Sequence, residues 1–160
     1  LSAQVAIGKA TVSSPAVSLE FYDNADNTRG IILPWVTSTA AVTGAVNGTI
    51  VYNTADRKVY VKYASGWRDL SVDNTGTVTT TLQDSLTDQD TAKVLIGGDP
   101  ATDTTPGILV LADTNKAMVL PKVASPHLKI VNPSPGMIVY DTTKKQLAVF
   151  NGTVWSFWKP

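Results

Sequence analysis

Two stretches decide the fold: Gly48-Thr49-Ile50-Val51-Tyr52-Asn53-Thr54 and Gly136-Met137-Ile138-Val139-Tyr140-Asp141-Thr142. Each reads Gly-x-Ile-Val-Tyr-(Asn/Asp)-Thr. Each is a short β-branched run that ends on a residue able to close a turn with its own side chain. A second apolar run follows in both cases, Val59-Tyr60-Val61 and Leu147-Ala148-Val149, so each stretch predicts a hairpin with a loop of about four or five residues. A further turn, Ala64-Ser65-Gly66 or Asn151-Gly152-Thr153, leads to a last strand carrying Trp67 or Trp155. The unit is a small meander.

Working outward, the correspondence continues. Residues 29–36 (RGIILPWV) match 116–123 (KAMVLPKV), VAIG at 5–8 matches VLIG at 94–97, and LEFYD at 19–23 matches LVLAD at 109–113. The offset is 87 at Pro34/Pro121 and 88 at Tyr52/Tyr140 and Trp67/Trp155. One colinear register with small insertions at turns describes an internal repeat, and such a repeat governs the whole fold. The expected organisation is a first β repeat at 1–70, a linker at 71–93 with a possible strand at 76–82, and a second β repeat at 94–160.

Expected strands in the first repeat are 4–8, 17–23, 30–33, 49–53, 58–63 and 66–70. In the second they are 93–97, 107–112, 117–120, 137–140, 146–150 and 153–158. Pro34 and Pro121 end the run before them, because proline donates no ladder bond. A short helical turn fits 37–46 weakly, and 124–133, with Pro126 and Pro133, reads as irregular.

Composition agrees. The 160 residues include 21 Thr, 19 Val and 8 Ile, stiff side chains that suit a pleated strand. Glu occurs once, at Glu20, against twelve Asp, the reverse of what exposed helical faces use. The fold class is all-β: two homologous antiparallel meander or sandwich-like units.

Thirteen basic residues balance thirteen acidic ones, so no charge excess exists to neutralise phosphates or hold a membrane surface. No apolar run approaches the roughly 20 residues of a spanning helix. The chain has no cysteine and a single histidine, His127, which removes thiol chemistry and multi-His metal sites. No P-loop, dinucleotide fingerprint or Gly-x-Ser-x-Gly elbow is present. The reading is a non-enzyme with no catalytic residue, cofactor or metal site.

The order Val-x-Ile-Gly, Arg-Gly-x-x-Leu-Pro, Gly-x-Ile-Val-Tyr-(Asn/Asp)-Thr and Asn-Gly-x-x-Trp resembles a module of secreted surface proteins of Bacteroidota. It also resembles stretches of phage tail-fibre-like proteins. The resemblance covers both repeats. Its pattern has a basic residue after Leu-Pro; Lys122 fits, and Trp35 departs. It implies an extracellular location and a fibrous or adhesive role. Leu1-Ser2-Ala3 ahead of Gln4 is also compatible with the end of a cleaved leader.

Candidate sites follow. Trp67 and Trp155 hold equivalent positions and read as core. Trp35 and Trp158 have no aromatic counterpart in the other repeat, and are the candidates for a subunit interface or for stacking on a sugar. Ser85 and Thr91 lie in Asp-Ser-Leu and Asp-Thr-Ala, similar to the O-glycosylation pattern of Bacteroidota, as do Thr104 and Thr142. Asp84, Asp88 and Asp90 lack the spacing of a calcium loop. Asp23, Asn24, Asp26 and Asn27 read as a turn.

The expected function is a secreted, self-assembling subunit of an extracellular filament or fibre, joined head to tail, with strand exchange as a route. Its partner is itself, with surface glycans as a second possibility and neither nucleic acid nor membrane insertion expected. The alternatives are a glycan-binding adhesive domain, and a trimeric segment like that of a tail fibre.

Overall fold

The computed structural model describes residues 4–87, 89 and 91–159. Leu1, Ser2, Ala3, Asp88, Asp90 and Pro160 lie outside the described residues, and with them the leader reading and two of the three aspartates weighed as calcium ligands. The described chain is nearly all β. In order, β1 spans Val5–Ile7, β2 Val17–Phe21, β3 Ile31–Ile32, β4 Trp35–Val36, β5 Ile50–Asn53, β6 Lys58–Tyr63 and β7 Gly66–Asp69. Then come β8 Val94–Ile96, β9 Leu109–Leu111, β10 Ala117–Val119, β11 Lys122–Val123, a single-turn helix α1 at Pro126–Lys129, β12 Met137–Asp141, β13 Gln146–Phe150 and β14 Trp155–Trp158.

Two meanders carry the same register. In the order β4-β5-β6-β7, Trp35 lies beside Tyr52, Tyr52 opposite Val59, and Lys62 opposite Trp67. In the order β11-β12-β13-β14, Lys122 lies beside Tyr140, Tyr140 opposite Leu147, and Phe150 opposite Trp155. Strand directions agree as well: the first pair of each set is parallel and the next two are antiparallel. Turn chemistry explains the first hairpin of each. The Asn53 carboxamide oxygen accepts from the Ala55 amide at 2.9 Å, and the Asp141 carboxylate accepts from the Thr143 amide at 2.9 Å.

Ahead of each meander runs a parallel pair, β1 with β2 and β8 with β9. The two halves then interlock. β3 of the first half pairs antiparallel with β12 of the second, and β10 of the second half pairs parallel with β2 of the first. The main core lies between the halves: Leu33, Tyr52, Val59 and Leu70 from one, Ile138 and Val149 from the other. A smaller core under α1 holds Val123, Ile130, Val139 and Ala148.

The structure corrects the sequence reading in three places. Residues 76–82 form no strand. The start of this stretch crosses the second meander's last loop, where Gly76 is buried and the Thr77 hydroxyl donates to the Gly152 carbonyl at 2.9 Å, while Thr79, Thr81 and Leu82 are exposed. A side chain at Gly152 would overlap the Thr77 carbonyl, which explains the glycine. Second, the runs before Pro34 and Pro121 end as expected, but two-residue strands not expected from the sequence, β4 and β11, begin directly after the prolines and bond to the next strand. Third, 126–129 is helical: Pro126 starts the turn, where its missing N–H costs nothing, and is itself buried.

Candidate functional site

The most built feature of the molecule is the seam between the halves. On one side, the Leu33 amide donates to the Gly136 carbonyl at 3.0 Å, extending the β3–β12 ladder. Beside it the Trp35 indole N–H donates to the Pro135 carbonyl at 3.0 Å, and the Tyr52 hydroxyl donates to the Asn151 carbonyl at 2.8 Å. Tyr52 is 0% exposed, and burial pushes its phenol up to about 12. Gly136 makes this closeness possible. A Cβ there would stand 2.8 Å from the Tyr52 Cβ, and its φ of +79° suits glycine.

The return contacts come from the second half. The Trp158 indole N–H donates to the Leu70 carbonyl, and the Ser156 hydroxyl to the Ser71 carbonyl. The Arg68 guanidinium lies 5.4 Å from the Trp158 ring centre, a cation–π distance. Asn151 donates to the Asp73 carboxylate at 3.2 Å. Trp35 and Trp158, which have no aromatic counterparts, thus each hydrogen-bond to the opposite half.

A charged cluster closes the far end of the seam. Glu20 is buried on β2, with the Lys9 ammonium 3.0 Å away and the Ser13 amide donating at 2.6 Å. Burial pushes its carboxyl up, but the Ser13 amide and the Lys9 ammonium outweigh this and hold it below its ordinary value. Lys9 also reaches Asp23 at 3.2 Å, and Lys122 of the second half reaches the same carboxylate at 3.4 Å. Buried Asn27 donates to the Lys122 carbonyl at 3.1 Å. The turn Asp23–Asn27 therefore fastens the halves.

The other candidates lie apart from the seam. Ser85 and Thr91 are exposed in the linker, as is Asp84. Among the described residues no group of three or more His, Asp or Glu side chains is placed to hold a metal. A depression of about 630 Å³ beside Trp158 is lined by Ser71, Asp73, Asn74, Ser156 and Phe157. Sequence reasoning missed Tyr52, Asn151 and the Lys9–Glu20 pair. The signal for the last was present: the lone Glu of the chain sits inside the apolar run Val17–Phe21.

Residues 99–159 match a family model described as a phage tail like trimerisation region. The match runs from just after β8 to just past the end of β14 and covers less than half of the chain. No curated protein and no solved structure matches. The match supports a resemblance to phage tail-fibre-like proteins and a homo-oligomeric state.

Proposed function

We propose that the chain is a non-enzymatic structural segment of a trimeric, tail-fibre-like assembly that works outside the cell. The observation that carries this reading is the trimerisation-region match across the second half, whose meander repeats the register of the first. The physical argument is one of edges. Short meanders and two-strand pairs leave unpaired amides and carbonyls at their borders, which a neighbouring copy can satisfy. Three chains about one axis cover such edges and then stop, whereas the same kind of contact without closure grows a filament. A net charge of zero leaves little long-range repulsion between copies.

Sedimentation velocity over a wide concentration range, with negative-stain imaging of the same samples, tests the proposal. A single three-chain species of constant size supports it. Species that lengthen with concentration would move the reading to an open filament. A monomer at every concentration overturns it.

A further inference from the structure

The interlock within the chain is used once, and its matching parts are left over. On β12, residues Met137 and Ile138 are covered by β3. Their counterparts are Thr49, immediately before β5, and Ile50, its first residue. Among the described residues β5 pairs with β4, at Tyr52 and Asn53, and with β6; no strand occupies the edge at Thr49–Ile50. Gly48, the counterpart of Gly136, also has a positive φ, +90°, yet a Cβ there would meet no atom within 4 Å. The complementary part is also vacant. Tyr140, the counterpart of buried Tyr52, is 37% exposed and borders a depression of about 340 Å³ with Met118, Val119, Leu120 and Lys122.

The strand that would fill the β5 edge is β10, the counterpart of β3. Its hydrogen-bonding parity permits both roles at once. The Ala117 amide donates to the Ala16 carbonyl, on the edge shared with β2. The β10–β2 register shifts between Ala117 and Met118, but the extra residue, Ser18, is on β2, so the amides of β10 still alternate and those of Met118 and of Leu120, the residue after the strand, face away from β2. In the first half, Leu33, the counterpart of Leu120, uses its amide on Gly136. We infer that β10 of one chain pairs antiparallel with the Gly48–Ile50 edge of a second copy of the same chain. Val119 then stands opposite Thr49, Met118 opposite Ile50, the Leu120 amide donates to the Gly48 carbonyl, and Tyr140 covers Gly48. The occupant is a second copy because this chain already makes the corresponding contact internally in the same register, with Gly48 in the place of Gly136, Tyr140 in that of Tyr52 and Leu120 in that of Leu33, while Thr49 replaces Met137 and Lys122 replaces Trp35. The inference rests on the homo-oligomeric reading above and names its surface. The contact is heterologous, so its ends meet only if the assembly closes.

Cysteine pairing tests it, since the chain has no cysteine of its own. The Leu33–Gly136 bond makes Ile32–Met137 a close, non-hydrogen-bonded pair, with Cα atoms about 4.5 Å apart in such positions, which suits a disulfide. Its counterpart between chains is Thr49 with Val119. The double variant Thr49→Cys/Val119→Cys is oxidised and run on a denaturing gel, beside each single variant and Ile32→Cys/Met137→Cys. The inference expects reducible links between chains for the double variant alone, and a link within one chain for Ile32→Cys/Met137→Cys. It also expects Tyr140→Ala to weaken association at least tenfold in light scattering while the monomer stays folded by circular dichroism. If the wild-type chain is a trimer and the Thr49–Val119 pair forms no link, or only one within a chain, this surface is wrong and the trimer reading stands. If the wild-type chain is a monomer, both are wrong.

Discussion

Tyr52 and Tyr140 are the same residue at the same place in two meanders of one register, and their surroundings differ. Tyr52 is fully buried beneath Gly136 and bonded to Asn151; Tyr140 is more than one-third exposed above a shallow depression. The reverse holds on the other flank. The second meander is closed there by α1, with Pro126 and Ile130 buried, while the matching 3-10 turn of the first, Thr39–Ala41, buries no residue. A short β motif therefore sets strand order and register but not burial, which depends on what lies against each face. Among the described residues each meander is buried on the flank where another segment lies against it, the opposite half at Tyr52 and its own α1 at Val139, and open on the flank where none does.

The comparison can be broken most directly at the two tyrosines. Tyr52→Ala removes a filled core position and a buried hydrogen bond, and is expected to destabilise by about 3–5 kcal/mol. Tyr140→Ala should cost the isolated chain under about 1 kcal/mol. Urea unfolding of both variants checks this, and equal losses would erase the distinction between the flanks.

The glycines come next. Alanine at either Gly136 or Gly48 meets a left-handed backbone penalty of about 1–2 kcal/mol. At Gly136 it also presses on Tyr52, adding about 1–3 kcal/mol of overpacking. Thermal unfolding should therefore rank Gly136→Ala well below Gly48→Ala, and a reversed order would contradict the packing described.

A smaller difference is expected at the turns. The buried Asp141 carboxylate accepts from the Ser125, Thr143 and Lys144 amides, whereas Asn53 accepts from the Ala55 amide. Asp141→Ala should cost about 1–3 kcal/mol, and Asn53→Ala about 1 kcal/mol. Asp141→Asn should recover much of the loss, because asparagine serves at the matching position.

The last prediction is a pH dependence. Burial pushes the Asp141 and Glu20 carboxyls up, but their amide partners, and Lys9 at Glu20, outweigh it and hold both below their ordinary values of 3.8 and 4.5. As pH falls the unfolded chain takes up these protons first, so the stabilisation is complete above the ordinary values and is lost through the lower, folded ones. Glu20→Gln should lower stability at neutral pH and flatten the loss below about pH 4.5; an unchanged acid limb would contradict the role given to the Lys9–Glu20 pair.

Much of this architecture was legible in the residues. The runs ending at Asn53 and Asp141 fixed two hairpins, because β-branched stretches and turn-closing side chains are local signals. What escaped was non-local or very short. β4 and β11 have two residues each, too few for any period to show, and exist because the carbonyls of Pro34 and Pro121 accept from Tyr52 and Tyr140. The Thr-rich stretch 76–82 has strand propensity, but the close approach of Thr77 to Gly152 overrides it. At the seam, Trp35 and Trp158 stood out because their counterparts are Lys122 and Leu70. Tyr52 did not, because it shares the Gly-x-Ile-Val-Tyr pattern with exposed Tyr140.

The proposed trimer makes this chain one third of a closed assembly. Native mass spectrometry counts the chains: three chains of 17.0 kDa, a single species of about 51 kDa, is the predicted result. A 17.0 kDa species alone, under conditions where the chain is folded, would contradict it.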